Sequence, residues 1–351
     1  MEVKSNMKVS ILNLVPLRQG ESYKAAMERM VNLAKKAEEL GYTRYWIAEH
    51  HNTHSVASSA TQLLIQYALS NTEKIRIGSG GVMLPNHSPY LVAEQYGTLE
   101  TLYPGRVDLG LGRAPGTDLE TARAIRRGVG RESDFEREVM ELSEYFRDTE
   151  VVHAYPAAGL NIPLYILGSS TDSAYLAARL GLPYSFAAHF APTMMETAIR
   201  IYQENFKPSD VLEKPYVILG ANAILADTKE EAESLATTQW QAFLNIITNQ
   251  SQGLLPPVRS MEEVWRDYVE AVRVPHFGPV AFTEELIHQE KRIVERMGAF
   301  SFIGTKEEVQ AKMREVQERV HFDELIVNSY IYEEKAQHYS YQLLKEALEE
   351  L

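Results

Sequence analysis

Short apolar segments alternate with longer amphipathic segments along most of this chain. The run Val9–Val15 is apolar, rich in branched residues and followed by Pro16, which is typical of a buried β-strand. The next segment, Tyr23–Leu40, carries apolar residues at helical spacing and stops at Gly41, a residue that favours a helix C-terminus. The pattern therefore predicts a strand followed by a helix, and this pair recurs downstream.

Eight such strand segments can be read from the sequence, and they are continuous apolar runs. They are Val9–Val15, Thr43–His50, Ile75–Leu84, Val107–Gly112, Pro163–Leu167, Tyr184–Ala188, Tyr216–Leu225 and Glu324–Asn328. Strands that alternate with helices form parallel sheets with right-handed crossovers, and continuous apolar strands fit a sheet that is buried on both faces. The inventory of eight strands and eight principal helices predicts an α/β fold of the (β/α)8 TIM-barrel class.

Two stretches depart from this rhythm. Residues 113–132 form a long polar connection that contains Gly and Pro. Residues 227–305 follow the seventh strand and contain helical stretches, and a segment this long is not expected to be one structureless loop. We predict one domain over residues 1–351, with an insertion at about 227–305 on the face where barrels keep their active sites. Two interpretations of the insertion have equal weight. It forms a lid or a wall of the substrate pocket, or it is a helical excursion or a dimer surface without a role in the site.

Composition excludes several kinds of chemistry. The 351 residues include no cysteine, which rules out disulfides, thiolate nucleophiles and cysteine-based zinc sites. A net charge of −13 disfavours nucleic-acid binding, which relies on Lys and Arg. Four neighbouring arginines fit a small-anion site or a solvated face: Arg123, Arg126, Arg127 and Arg131. Because there is neither a signal-peptide pattern nor an apolar run long enough to span a membrane, we expect a cytoplasmic protein.

The second predicted strand ends in a group of ionisable residues: Glu49, His50, His51 and His54. Catalytic residues of barrels lie at such strand ends, and histidine gains and loses protons near neutral pH. Adjacent side chains on a strand point to opposite faces, so His50 and His51 do not easily bind one metal ion. We therefore favour catalysis or cofactor contact by His50 and Glu49 over a metal site. His51 or His54 could serve only to hold the loop.

Glycine and arginine mark the third and fourth strands. Gly80 and Gly81 lie within the third strand, where paired glycines indicate either the close approach of a flat ligand or an inert β-bulge. Arg113 follows the fourth strand and is a candidate phosphate partner, because its guanidinium offers a planar set of donors. The glycines around it match a dinucleotide-binding motif only superficially, since Pro115 interrupts and no helix follows directly.

The fifth predicted strand runs into a helix through a segment rich in hydroxyl groups: Gly168, Ser169, Ser170, Thr171 and Ser173. Backbone N–H groups at a helix N-terminus, together with hydroxyl groups, form an anion site, and Gly168 allows close approach. A single residue suffices to cap a helix, so four hydroxyl groups favour phosphate binding over capping alone.

Three further polar residues lie in or after predicted strands. His189 follows the sixth strand on the face that carries active sites and is a candidate for cofactor binding. Asn13 lies in the first strand and Asn328 ends the eighth, and each could form a pocket wall or a satisfied core amide.

Taken in order, these motifs resemble the bacterial luciferase-like family of flavin-dependent monooxygenases, on its single-chain branch. The resemblance is carried by Glu49–His51, Ile77–Pro89, Pro104–Arg113 and Leu167–Ser170, whose order and spacing match over nearly the full length. It implies a homodimeric TIM barrel that binds reduced FMN supplied by a flavin reductase. The implied reaction uses reduced FMN and O2 to oxidise a small organic substrate such as an aldehyde.

The resemblance also implies roles for single residues. His50 would lie beside the flavin ring and take part in catalysis, and the Gly80–Gly81 bond would be a non-proline cis peptide beneath the ring. Arg113, Ser169 and their neighbours would contact the FMN phosphate. Light-emitting members have a reactive thiol near the flavin, and this chain has none, so we expect no light emission.

Three alternatives stay open on the sequence alone. Related branches use the deazaflavin F420, or FMN, for hydride transfer without oxygen activation. A non-catalytic flavin-binding protein is the second alternative, although the intact Glu49–His51 segment argues against it. The third is a metal-dependent barrel hydrolase that uses the histidines. No pattern in residues 227–305 names a substrate.

Overall fold

The computed structural model describes residues 7–114, 117–126, 134–250, 252–272 and 280–351. Within these ranges, nine parallel strands form one sheet: β1 (Lys8–Asn13), β2 (Arg44–Ile47), β3 (Arg76–Met83), β4 (Val107–Gly112), β5 (Leu164–Gly168), β6 (Tyr184–Phe186), β7 (Val217–Leu225), β8 (Ser301–Gly304) and β9 (Glu324–Asn328). Eight of them close into a barrel in the order β1 to β7 and then β9, which pairs with both β7 and β1. The predicted eight-stranded parallel barrel of the TIM type is confirmed.

Helices follow the strands around the barrel. The described residues contain α1 (Tyr23–Glu39), α2 (Thr61–Leu69), α3 (Pro89–Leu102), α4 (Leu119–Arg126), α5 (Phe135–Arg147), α6 (Thr171–Leu180), α7 (Met195–Asn205), α8 (Lys229–Ile247), α9 (Met261–Val272), α10 (Val280–Met297), α11 (Lys306–Arg319) and α12 (Glu334–Glu349). The main hydrophobic core lies between strands and helices, where for example Ile11 of β1, Met30 of α1 and Leu344 of α12 are buried. Not one of the described helices combines the length and the apolar character needed to cross a membrane.

Helix ends follow the local chemistry of the sequence. Ser22 caps α1 by accepting a hydrogen bond from the Ala25 N–H at 3.2 Å. Gly41, just beyond α1, has a φ of 72°, a left-handed conformation that glycine adopts without steric cost. Gly181 ends α6 in the same conformation, with a φ of 63°. These signals explain why periodicity and glycine placement located the helices well.

The structure contains two elements that were not predicted: α4 in the polar connection at 113–132, and the strand β8 within residues 227–305. The helical stretches predicted in residues 227–305 are confirmed as α8, α9 and α10. β8 pairs with the second half of β7, on the side where β6 covers only Val217–Leu219. A strand of four residues is too short to show a distinctive pattern of hydrophobicity. The role of residues 227–305 as a lid or pocket wall stays a prediction.

The barrel interior has a charged layer at the N-terminal ends of the strands. Arg44 donates to Asp108 Oδ2 and to Glu324 Oε1, each at 2.7 Å, and Arg76 donates to Asp108 Oδ1 at 2.6 Å. Further along the strands lies an apolar layer formed by Leu12, Trp46, Ala48, Tyr165, Ile218 and Ile326. The carboxyl ends of the strands lie beyond this apolar layer, and polar residues that follow them collect at one rim.

Candidate active site

The carboxyl rim of the barrel carries the residues that the sequence analysis singled out. They come from five consecutive strands and their following loops: Glu49 and His50 after β2, Gly80 and Gly81 in β3, Arg113 after β4, Gly168, Ser169 and Ser170 at the β5–α6 junction, and His189 after β6. Because all these strands are parallel and adjacent, the predicted site residues lie on one face of the barrel.

The chain at the end of β2 directs alternate side chains to opposite sides. Trp46 and Ala48 belong to the apolar layer inside the barrel, and His50 lies on the same side of the chain. His50 is close enough to His189 to lower the pKa of that ring. Glu49 lies on the other side with His51, whose Nε2 is 2.7 Å from Glu49 Oε1. The structure thus separates His50 from His51, as the strand alternation predicts.

Glu49 is ionised although only 1% of its surface is exposed. Burial by itself raises its pKa, but hydrogen bonds from His51 and His87, both at 2.7 Å, and from the Met83 N–H at 3.2 Å outweigh burial and hold the pKa at about 2. The carboxylate is therefore occupied by three donors. This arrangement favours a structural role for Glu49 over the proton transfer that the sequence analysis predicts.

His50 and His189 are neutral imidazoles near neutral pH. Burial lowers the pKa of His50, and the charge of Glu49 partly offsets this effect. Burial, and then the proximity of His50, lower the pKa of His189 to about 4. The Nδ1 atoms of both rings are buried and lack a hydrogen-bond partner among the described residues. Such atoms are uncommon in folded proteins, so this pair is a candidate contact for the polar atoms of a ligand.

β7 holds His189 in place. Asn222 Nδ2 donates to the His189 carbonyl at 2.8 Å, and Asn328 Nδ2 donates to Asn222 Oδ1 at 3.3 Å. Gly220 leaves room for the ring, because a Cβ at this position would lie 2.6 Å from His189 Nδ1. Asn328 therefore belongs to a buried amide network that supports the site, and Asn222 and Gly220 are site residues that the sequence analysis missed.

Gly220→Ala tests this packing. The added Cβ would also lie 2.9 Å from the Phe186 carbonyl oxygen, so the ring or the backbone has to move. We expect the free energy of unfolding to fall by about 1–3 kcal/mol. We also expect the pKa of His189 to rise from about 4 towards the ordinary histidine value as the ring becomes more exposed to water. An NMR titration measures this, with the exposed His153 as internal reference; an unchanged His189 pKa would contradict the packing argument.

The peptide bond between Gly80 and Gly81 is cis, as the resemblance implies. A Cβ at Gly80 would lie 2.8 Å from Leu12 Cδ1, and one at Gly81 would lie 2.7 Å from the Gly110 carbonyl oxygen. The pairing of β3 with β4 also shifts register between Ser79 and Val82, which fits the β-bulge that the sequence analysis gave as the alternative to a ligand. Packing inside the barrel therefore explains both glycines, and a ligand lying against this bond stays a prediction.

Helix capping accounts for part of the β5–α6 junction. Ser170 is the N-cap of α6 and forms a capping box with Ser173. The Ser173 N–H donates to Ser170 Oγ at 3.3 Å, and the Ser170 N–H donates to Ser173 Oγ at 3.4 Å. A Cβ at Gly168 would lie 2.2 Å from Ser173 Oγ, so Gly168 is required by the same packing. Capping thus explains Ser170, Ser173 and Gly168 without a ligand.

The other members of the predicted phosphate site come together at the same helix end. Ser169 immediately precedes the N-cap of α6. Arg113 extends from the loop after β4 to the first turn of α6, where its Nη1 lies 3.9 Å from Asp172 Oδ2. The Arg113 side chain is 57% exposed. The geometry suits a phosphate between Arg113 and the helix N-terminus, and that contact stays a prediction.

Some residues differ in role from their first interpretation. Asn13 is a satisfied core amide, because it donates to Tyr45 OH at 2.5 Å and accepts from the Val15 N–H at 2.7 Å. The sequence analysis did not single out His87. It lies in a turn between Pro85 and Pro89, and the presence of a histidine in that turn was the signal that could have identified it as a site residue.

Among the four arginines, Arg126 pairs with Glu138 at 2.5 Å and Arg123 is exposed, whereas Arg127 and Arg131 lie outside the described residues.

Solved structures share this fold over nearly the whole chain. The crystal structure of apo-MsnO8 superimposes with a TM-score of 0.83 and 30% sequence identity, covering 99% of both chains. Two more distant structures show the fold alone. One is the oxygenating constituent of 3,6-diketocamphane monooxygenase from Pseudomonas putida in complex with FMN, with 16% identity, a TM-score of 0.67 and coverage of 97% and 98%. The other is an F420-dependent secondary alcohol dehydrogenase with an F420–acetone adduct, with 15% identity, a TM-score of 0.63 and coverage of 97% and 99%.

Sequence comparisons agree with the structural ones. A luciferase-like monooxygenase from Escherichia coli K12 is 42% identical over 346 residues, which cover 97% of each chain. The N-acetyl-S-alkylcysteine monooxygenase of Bacillus subtilis is 31% identical over 353 residues, covering 97% of this chain and 98% of the relative. The family model for luciferase-like monooxygenases matches residues 7–321. This chain therefore belongs to the luciferase-like monooxygenase family.

Proposed function

We propose that this protein is an FMN-dependent monooxygenase that uses reduced FMN and O2 to oxidise a small organic substrate. The observation that carries the proposal is the pair of buried ring nitrogens, His50 Nδ1 and His189 Nδ1, which lack partners at the carboxyl rim. A flavin ring system offers polar atoms along one edge that can bind such nitrogens. Family membership supports the monooxygenase reaction class, and one solved structure with this fold, the 3,6-diketocamphane monooxygenase constituent, binds FMN.

The residues at the rim fit FMN at both ends of the molecule. The N-terminus of α6, Ser169 and Arg113 suit the phosphate, because backbone N–H groups and a guanidinium bind anions. His50 and His189 suit the ring, and the cis Gly80–Gly81 bond is in β3, the strand next to β2. Reduced FMN, when bound, supplies the reaction with oxygen, and the protein supplies orientation and a dry environment.

His50 is the residue best placed to move a proton. Its ring is partly buried and neutral, with a buried Nδ1, so Nδ1 can accept a proton from the substrate or cofactor and return it later. His189, whose pKa of about 4 keeps it neutral, can hold a polar atom of the ligand through a hydrogen bond. The apolar layer below them, which includes Trp46, excludes water from the interior.

An anaerobic titration with reduced FMN, and in parallel with reduced F420, is the first test. We expect tight binding of reduced FMN and reoxidation on mixing with oxygen, with substrate oxidation in a screen of aldehydes and N-acetyl-S-alkylcysteines. The second group is included because of the activity that the Bacillus subtilis relative's name states. Binding of F420 without oxygen consumption would instead place the protein in the hydride-transfer branch, and binding of neither cofactor would refute the proposal.

Arg113→Ala is expected to weaken FMN binding about tenfold, because an exposed guanidinium contributes a modest charge-assisted bond to a phosphate. Binding of riboflavin, which lacks the phosphate, should stay unchanged. The matched control is Arg147→Ala, since Arg147 is also 57% exposed and pairs with an exposed aspartate, Asp210. Fluorescence titration measures the affinities of the wild type and of both variants for FMN and for riboflavin. Equal loss of FMN and riboflavin affinity would show that Arg113 does not bind the phosphate.

The proposal extends to partners. Exposed apolar side chains on two neighbouring helices, Leu63 and Tyr67 on α2 and Leu91 and Leu102 on α3, suit a surface that a second copy of the chain covers in a homodimer. A separate flavin reductase would supply the reduced FMN. A cytoplasmic location, where reduced nicotinamide cofactors are made, is part of the same proposal.

A further inference from the structure

Glu49 connects two rim loops that follow different strands. Glu49 Oε1 binds His51, in the loop after β2, and His87, in the loop after β3, each at 2.7 Å. Glu49 Oε2 accepts from the N–H of Met83, the last residue of β3, at 3.2 Å. Because Glu49 is buried, these bonds are shielded from water and are stronger than they would be at the surface. We call Glu49, His51 and His87 the Glu49 cluster, and it holds the two loops together.

His50 lies between Glu49 and His51 in the chain, and its ring lies on the opposite side. Its Nδ1 has no hydrogen-bond partner in the described part of the chain, and its backbone N–H donates to the Ser58 carbonyl at 3.2 Å. The direction of the ring therefore depends on how firmly its backbone is held. Since the Glu49 cluster also binds Met83 at the end of β3, it links the residue that precedes His50 to the strand that contains the cis bond.

A metal ion is the competing explanation for the cluster. One ligand atom each of Glu49, His51 and His87 lies within 4.8 Å of the others. Hydrogen bonds already account for Glu49 Oε1 and for the Nε2 atoms of both histidines, at distances normal for charge-assisted bonds. The arrangement thus needs no ion to be satisfied, and metal content becomes one outcome of the test.

Resting on the proposed function, we propose that the Glu49 cluster positions His50 against the bound flavin and that His87 is a positioning residue. His87 acts through Glu49 on the backbone of His50, from the side of the chain that faces away from the reacting atoms. Without the His87 donor, the loop after β3 has lost its side-chain hydrogen bond to Glu49. A misplacement of about 1 Å in a catalytic group can cost about 100-fold in rate.

Two substitutions at His87 test the proposal. His87→Ala removes the donor, and His87→Gln keeps an N–H donor of similar reach. We expect His87→Ala to slow the single-turnover reoxidation of bound flavin about 10- to 100-fold, with unchanged FMN affinity, and His87→Gln to recover most of the rate. His153→Ala is the control, since it removes an exposed histidine that is bound to Asp148 at 2.6 Å. A merely structural role would lower FMN affinity and the melting temperature together with the rate.

The double variant His50→Ala/His87→Ala shows whether His87 acts through His50. If it does, the second substitution adds nothing to the loss that His50→Ala causes, because both act on one step. Losses that multiply, or a wild-type rate in His87→Ala, would overturn the proposal. So would one equivalent of metal in the purified wild-type protein that is absent from His87→Ala.

Crystal structures of the wild type, His87→Ala and His87→Gln separate this proposal from the proposed function. A wild-type protein that binds no reduced FMN refutes the proposed function, and the direction of the His50 ring in the three structures still tests the cluster. We expect the ring to be turned in His87→Ala and in its wild-type direction in His87→Gln. The same ring direction in all three structures would overturn the positioning role.

Discussion

Replacing His50 with alanine is expected to slow the reoxidation of bound FMN by oxygen about 10²- to 10⁴-fold, the usual contribution of a positioned acid–base group. Affinity for reduced FMN should change little, because most contacts proposed for the cofactor come from other residues. The physical reason is that His50 provides a neutral, partly buried ring whose Nδ1 is buried and free to take a proton. Stopped-flow absorbance of a single turnover measures the rate, and anaerobic titration measures the affinity.

His50→Gln is the informative companion to this variant. Glutamine has similar size and can form a hydrogen bond, but it cannot take up a proton at neutral pH. If proton transfer is the role of His50, the glutamine variant is as slow as the alanine variant. A glutamine variant with nearly the wild-type rate would show that His50 only donates or accepts a hydrogen bond.

The pH dependence of this rate follows from the same residue. Burial lowers the pKa of His50 below its ordinary value, the carboxylate of Glu49 partly restores it, and His51 lowers it again. His189, which also faces His50, is neutral because its pKa is about 4. The neutral, active form of His50 therefore persists at neutral pH, and the rate falls only as the pH drops through this lowered pKa. His50→Ala should abolish this acid limb; an identical limb in the variant would assign it to another group.

Arg44→Ala is expected to destabilise the fold more than any other single change considered. Arg44 binds Asp108 and Glu324, whose side chains are fully buried, and its removal leaves Glu324 without its cation. Breaking a buried ion pair by removing one partner costs about 3–5 kcal/mol in the free energy of unfolding, because the remaining charge is neither solvated nor paired. Asp108 keeps Arg76, so most of the loss comes from Glu324.

Urea unfolding followed by circular dichroism measures this loss. The control is Lys24→Ala, which removes an ion pair with Glu28 on the surface of α1, where Lys24 is 85% exposed. Such pairs contribute less than about 1 kcal/mol, because water and salt screen them. A loss in Arg44→Ala no larger than in the control would show that the charged layer adds nothing to stability.

Short-range signals explain how much of this molecule could be predicted. Helix periodicity, together with glycine at positions such as Gly41 and Gly181, located helices to within a few residues. Alternation along the end of β2 separated His50 from His51, since side chains on an extended chain point to opposite sides. The cis bond at Gly80–Gly81 came from family resemblance and not from local patterns.

The sequence by itself determined the order of the eight barrel strands and their principal helices, though not the short elements α4 and β8. It also determined the closed parallel barrel and the rim at which the polar residues collect, because these follow from local periodicity and from the rules of parallel connections. Only the tertiary structure decided which polar groups are partners. Glu49 and His87 are 38 residues apart, and Arg44 and Glu324 are 280 apart. No local pattern specifies such pairs, because they depend on where barrel closure brings distant strand ends together.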